Sequence, residues 1–170
     1  KVSRPQYEDL LKKAPSAPQC PVVENDLAIL LYTGGTTGRS KGVQLSHKNV
    51  YSNGMQMAIA LSAVPSDIYL HAAPMFHAAD LLSTGFTLVG AAHAYLPAFT
   101  PTASLEVIQK YGVTATMKAP TMIIMNLTHT EFKKYDTSSL RIMLYGSSPM
   151  AAEWVQKSIE GFSNTQIVQG

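Results

Sequence analysis

Charge is scarce in these 170 residues: Asp, Glu, Lys and Arg make up 14% of the chain and hydrophobic residues 46%. Soluble domains carry roughly 25% charge, so this balance excludes an intrinsically disordered chain. It also predicts more buried surface than a free-standing domain of this length would carry. The 13 basic and 11 acidic residues leave a net charge of only +2. No stretch gathers enough Lys and Arg to track a nucleic-acid backbone. Cysteine is nearly absent. Cys20 stands alone beside Pro21, which excludes an intrachain disulfide and a cysteine-based zinc site and makes a reducing compartment, the cytoplasm, the expected setting. No apolar run approaches the roughly 18 residues that span a bilayer. The chain opens with Lys1 and shows no signal-peptide pattern, so it reads as an excised segment. The five histidines, His47, His71, His77, His93 and His129, lack a metal-binding spacing such as H-E-x-x-H, and no residue is assigned to a metal. The pattern specifies no oligomeric state.

What is present is alternation. Residues 5–14 read as a short amphipathic helix, and residues 15–25, with three prolines and no periodicity, as a linker. Residues 27–32 are apolar without a break, as expected of a strand buried on both faces. Ser46 caps a helix running to about Ser62. Further strands are expected at 68–73, 92–96, 113–118, 140–145 and 166–169. Between them fall helices at 78–89, apolar nearly all round, and from Thr102 to Gly112. Two more follow, one opened by Pro120 and one started by Ser148-Pro149 that carries Ala152, Val155, Ile159 and Phe162 on one side. Strands alternating with helices predict an α/β layered sheet, mostly parallel, with flanking helices. The domain reading is a helix and Pro-rich linker over 1–25 followed by one layered unit over 26–170.

One segment concentrates chemistry: Tyr32-Thr33-Gly34-Gly35-Thr36-Thr37-Gly38-Arg39-Ser40-Lys41-Gly42-Val43. Glycines let the backbone approach a ligand and take positive φ. Successive N–H groups in such a loop form an anion-binding concavity. Thr33, Thr36 and Thr37 add hydroxyls, and Lys41 adds a cation on a long stem. The combination suits the phosphates of a nucleotide. It is not a Walker A loop, because Lys41 precedes Gly42 and no helix starts at once. Nor is it G-x-G-x-x-G, because the spacing of Gly34-Gly35 and Gly38 is wrong.

This string resembles the phosphate-binding signature of the AMP-forming adenylating enzymes, a superfamily that includes acyl-CoA synthetases, peptide-synthetase adenylation domains and firefly-type luciferases. The usual form is Tyr-Thr-Ser-Gly-Thr-Thr-Gly-x-Pro-Lys-Gly-Val. Gly34 stands here for the usual Ser, which removes one hydroxyl. Ser40 stands for the usual Pro, which loosens the loop around Lys41. Three further strings match in order: Leu45-Ser46-His47-Lys48-Asn49, Pro74-Met75-Phe76-His77-Ala78, and Ser139-Leu140-Arg141 followed by Tyr145-Gly146-Ser147-Ser148-Pro149-Met150.

The resemblance implies part of the large N-terminal domain of an adenylate-forming enzyme. Its substrates would be ATP with Mg2+, a small carboxylic acid and coenzyme A, with no nucleic-acid partner. Thr33, Gly34, Gly35, Thr36, Thr37, Gly38 and Lys41 would bind phosphate, and Lys41 would also stabilise the leaving pyrophosphate. His77 would sit near the substrate carboxylate and the α-phosphate, with Phe76 and Tyr145 shaping the acyl pocket. Gly146, Ser147, Ser148 and Pro149 would line the adenine. The expected activity is acid:CoA ligation through an acyl-adenylate, with a fatty or other organic acid. Two alternatives stay open: loading of a carrier-protein thiol, and nucleotide binding without catalysis. The family's Thr-Glu pair, ribose-binding Asp and C-terminal catalytic Lys find no match up to Gly170, so this stretch alone is expected to be inactive.

Overall fold

A computed structural model describes residues 4–13, 20–34 and 38–170. Helix α1 covers Arg4–Lys13. Strand β1 (Leu27–Thr33) turns back on β2 (Lys41–Ser46) as an antiparallel hairpin. Then come α2 (His47–Ala60), β3 (Ile68–His71), a 3-10 turn (Ala78–Ser83), α3 (Thr84–Leu88), β4 (Ala92–Tyr95) and α4 (Pro101–Tyr111). The chain continues with β5 (Ala115–Lys118), α5 (Pro120–Leu127), a 3-10 turn (Phe132–Lys134), β6 (Ile142–Tyr145), α6 (Ala152–Gly161) and β7 (Gln166–Gln169). Five strands form one parallel sheet in the order β4-β3-β5-β6-β7.

Strand periodicity sends alternate residues of this sheet into two cores. Leu70, Met143 and Tyr145 pack with Ile108 of α4, Ile123 of α5 and Phe162 after α6. Tyr69, Ala115, Met117, Ile142 and Leu144 pack on the other side with Leu61 and Phe86 of the α2–α3 layer. Helices on both faces are what a parallel sheet requires, because both its surfaces are apolar. Each fully buried side chain such as Leu105 or Ile108 contributes about 2 kcal/mol of transfer free energy.

Helix starts follow local chemistry. Ser46 caps α2 in a reciprocal box: its hydroxyl accepts from the Asn49 N–H at 3.2 Å, and its own N–H donates to Asn49 Oδ1 at 3.0 Å. Helix α4 is capped by Thr100, whose hydroxyl accepts from the Ala103 N–H at 3.1 Å, and not by Thr102. Pro101 explains the shift, since proline fits the first helical position and leaves the cap to the residue before it. Helix α6 starts after Ala151, later than Ser148-Pro149. Helices α2 and α3 cross closely at Gly54 and Gly85. A Cβ on Gly85 would lie 2.8 Å from the backbone nitrogen of Ala58.

Three expectations need correction. Strand β1 is not buried on both faces and takes no place in the parallel sheet; Leu27, Leu30 and Tyr32 are exposed. Its partner is β2, where no strand was expected. The apolar stretch 78–89 is not one helix but a 3-10 turn followed by the five residues of α3. Hydroxyls there compete with the helical ladder: Thr84 Oγ1 donates to the Leu81 carbonyl at 2.6 Å and Thr87 Oγ1 to that of Ser83 at 3.3 Å. Among the described residues, no helix is long and apolar enough to cross a membrane.

Candidate active site

The Gly/Thr segment is the mouth of the β1–β2 hairpin. The register pairs Tyr32 with Gly42 and Thr33 with Lys41, so the two polar residues that flank the turn face each other across it. The Thr33 hydroxyl lies 3.5 Å from the Lys41 carbonyl oxygen, and both residues are exposed. Gly38 holds φ at +146°, a conformation that L side chains rarely adopt, so the turn itself demands glycine there. Gly34 is different: a side chain there would meet open space. Gly35, Thr36 and Thr37 lie outside the described residues.

A second element approaches the hairpin. Strand β3 ends at His71, and residues 74–77 form a tight turn closed by the His77 N–H on the Pro74 carbonyl at 3.1 Å. This turn leaves Phe76 88% exposed. Between it and the hairpin lies a cleft of about 430 Å3, lined by Leu31, Thr33, Val43 and Leu45 on one wall and by Phe76 and His77 on the other. Between β3 and β4, the His71 and His93 rings meet through Nε2 and Nδ1 at 2.8 Å. The ring of Tyr95 stacks on His71 at 4.6 Å.

The third predicted group follows β6. Ser147 adopts φ +70°, a left-handed conformation in a residue that carries a Cβ. Such strain costs on the order of 1–3 kcal/mol and tends to be kept at functional sites. A Cβ on Gly146 would stand 3.2 Å from the Gly170 carbonyl oxygen, while the Gly170 N–H donates to the Tyr145 carbonyl at 2.9 Å. The Tyr145 side chain is buried, with its hydroxyl donating to Gln169 Oε1 at 3.1 Å. The structure therefore brings Thr33, Phe76 and His77 to one cleft, with Lys41 at its hairpin mouth. Tyr145, Gly146, Ser147, Ser148 and Pro149 sit at the carboxyl end of β6 and are not among the residues lining that cleft.

The cleft's apolar wall was missed by sequence reasoning. Its signal was legible: Val43 and Leu45 alternate with Gly42, Gln44 and Ser46, the period of a half-covered strand. Also missed was the pin on the opposite rim of the sheet. Arg141 Nε donates to Asp67 Oδ1 at 2.8 Å, and its Nη1 and Nη2 reach the Leu61 and Ser62 carbonyls. Asp67 also accepts from the Thr114 hydroxyl at 2.7 Å and the Val64 N–H at 2.9 Å. Burial pushes the Asp67 carboxyl up, but these donors and the Arg141 charge outweigh it and hold the group below its usual 3.8. Among the described residues, no cluster of three or more His, Cys, Asp or Glu is placed to hold a metal.

A parallel sheet flanked by helices on both faces is the fold of the N-terminal domains of adenylate-forming enzymes. The chain belongs to the AMP-binding enzyme family, whose model matches residues 2–170. It is 35% identical over 156 residues to a long-chain-fatty-acid–CoA ligase of Bacillus subtilis (strain 168), covering 86% of this chain and 27% of that protein. It is 32% identical over 162 residues to a feruloyl-CoA synthase of Amycolatopsis sp, covering 90% of this chain and 33% of that one. Among solved structures, the inhibitor-bound N-terminal domain of FACL13 from Mycobacterium tuberculosis superposes with a TM-score of 0.85 at 26% identity, over 98% of this chain and 42% of its own. ATP-bound MatB from Rhodopseudomonas palustris gives a TM-score of 0.82 at 29% identity, over 97% of this chain and 33% of its own. The chain thus spans about a third or less of the length of the two ligases it matches.

Proposed function

We propose that this chain carries the phosphate-gripping hairpin and the carboxylate-end turn of an ATP-dependent acid:CoA ligase. One observation carries the reading: the hairpin that ends in Thr33 and Lys41 faces Phe76 and His77 across a single cleft. The donor set fits a polyphosphate. It offers an exposed ammonium, a hydroxyl and a glycine-rich turn, and among the described residues that line the cleft there is no carboxylate to repel an anion.

In this reading ATP supplies an electrophilic α-phosphorus and a pyrophosphate leaving group; the carboxylate of a small acid attacks that phosphorus to give an acyl-adenylate, and the CoA thiol then attacks the acyl carbon, forming the thioester as AMP leaves. Lys41 and the threonine hydroxyls stabilise charge that grows on the leaving pyrophosphate, the type of interaction that lowers a barrier without reorganisation. His77 orients the carboxylate at the other wall. Phe76, Leu31, Val43 and Leu45 offer an apolar surface to the acid. Magnesium would arrive with the nucleotide. The strained Ser147 turn, with Gly146, Ser148 and Pro149, would receive the adenine, and Tyr145 would act from beneath it as support. The ligases it resembles are named for a long-chain fatty acid and for ferulate, so the acid is fatty or aromatic.

The test is ATP–pyrophosphate exchange by the intact protein with a panel of fatty and aromatic acids, followed by transfer of the acyl group to free CoA. Acid-dependent exchange with CoA thioester formation is expected. Transfer only to a carrier-protein thiol would point to the second reading, and nucleotide binding without exchange would remove catalysis altogether.

A further inference from the structure

Lys118 is the last residue of β5 and has no exposed surface. Strand alternation turns it, with Thr116, away from the α2–α3 side that receives Ala115 and Met117. Its Nζ donates to Ser104 Oγ of α4 at 2.8 Å and to Asn126 Oδ1 of α5 at 2.6 Å. Asn126 in turn donates through Nδ2 to the Pro101 carbonyl at 3.2 Å, in the first turn of α4. One side chain therefore ties three elements together, and both its partners are neutral.

The surroundings offer nothing to offset a positive charge. Helix α5 (PTMIIMNL) has no titratable residue. On α4, Glu106 and Lys110 are exposed to solvent. On β6, Tyr145 lies in register with Lys118 and its hydroxyl is engaged by Gln169. On β3, His71 stacks edge-on to Tyr69, on the opposite face of the sheet. His129, beyond α5, meets the Thr102 hydroxyl at 3.1 Å. Among the described residues no carboxylate pairs with Lys118. An ammonium that is buried against neutral oxygens alone is disfavoured, whereas a neutral amine in the same place keeps both hydrogen bonds.

We propose that Lys118 is a pH-sensitive tie between β5, α4 and α5, firm when its amine is neutral and weakened when it is protonated. The tie is independent of the proposed ligase activity. Burial brings the group's folded-state value from 10.5 down to about 7. An opening that exposes Lys118 then takes up a proton at any pH between these two values, so acidification favours opening and alkalinity opposes it.

Two measurements on the intact protein test this. In a 13Cε-lysine NMR titration, one resonance should move more than two pH units below the others and vanish in Lys118→Met; this readout in the wild type needs no stable variant. Amide hydrogen exchange of α4 and α5, corrected for its intrinsic pH dependence, should show protection rising about twentyfold from pH 7.5 to 9 in the wild type. The rise should be absent in Lys118→Met. Lysine resonances that all titrate together near 10 would overturn the proposal. So would an early-titrating resonance that survives the substitution, or protection with the same pH dependence in both proteins.

Discussion

His77 and Asp67 carry opposite kinds of consequence. His77 lies on an exposed turn at the cleft wall, so His77→Ala should slow adenylate formation per folded molecule by about 10²-fold, the usual range for a positioned polar group. A large drop in melting temperature with normal rate per folded molecule would make it a packing residue. Asp67 is 2% exposed and holds Arg141, Thr114 and Val64 together at the amino ends of β3, β5 and β6. Asp67→Asn should cost about 2 kcal/mol, below the full value for a buried pair because the Arg141 side chain is a third exposed. Its carboxyl titrates below 3.8 in the folded chain. The stabilisation is therefore complete above that value and disappears as pH falls through the folded-state pKa. Acid titration of the wild type and Asp67→Asn, followed by circular dichroism, should show curves that converge only in strong acid.

Elements were legible where one local rule governed them. Ser46 as the cap of α2 and Pro120 at the start of α5 follow from side-chain chemistry within four residues, and both stand as read. The β1–β2 pair was missed because a continuous apolar run such as residues 27–32 marks a strand without saying whether it enters the parallel sheet or pairs in a half-exposed hairpin. Only the alternation at Val43 and Leu45 separates the two. Helix α3 escaped the periodicity argument because two hydroxyls within the apolar run, those of Thr84 and Thr87, bond carbonyls of the preceding turn and compete with the helical ladder. The α2–α3 crossing supplies a prediction at this scale. Gly85→Ala places a methyl 2.8 Å from the Ala58 backbone nitrogen, where nothing can rotate away. Destabilisation of about 2 kcal/mol is expected, measured as a lower denaturant midpoint at constant slope. A neutral result would mean that the helices separate without cost.

At the scale of the whole molecule, the layered parallel sheet is readable because each strand–helix repeat announces itself, and six of the seven strands among the described residues stand out in the sequence pattern. The site was legible as motifs but not as a place. The sequence put Thr33, Lys41, Phe76 and His77 in one list, and only the fold sets Thr33 across a cleft from Phe76 and His77, with Lys41 paired to Thr33 at the hairpin mouth. The side-chain partners of Lys118 and Arg141 lie 8 to 80 residues away in the sequence, so neither tie can be read from its neighbourhood. The central claim is that the hairpin mouth grips the phosphates of ATP. Its most direct test is steady-state ATP–pyrophosphate exchange by the intact protein and its Lys41→Ala variant, with melting temperature recorded for both. Lys41 is exposed and makes no side-chain contact that stabilises the fold among the described residues, so unchanged melting is expected. The account predicts kcat/KM for ATP lower by about 10²-fold, with the dissociation constant of the acid unaltered. Equal kcat/KM for ATP in the two proteins would contradict it.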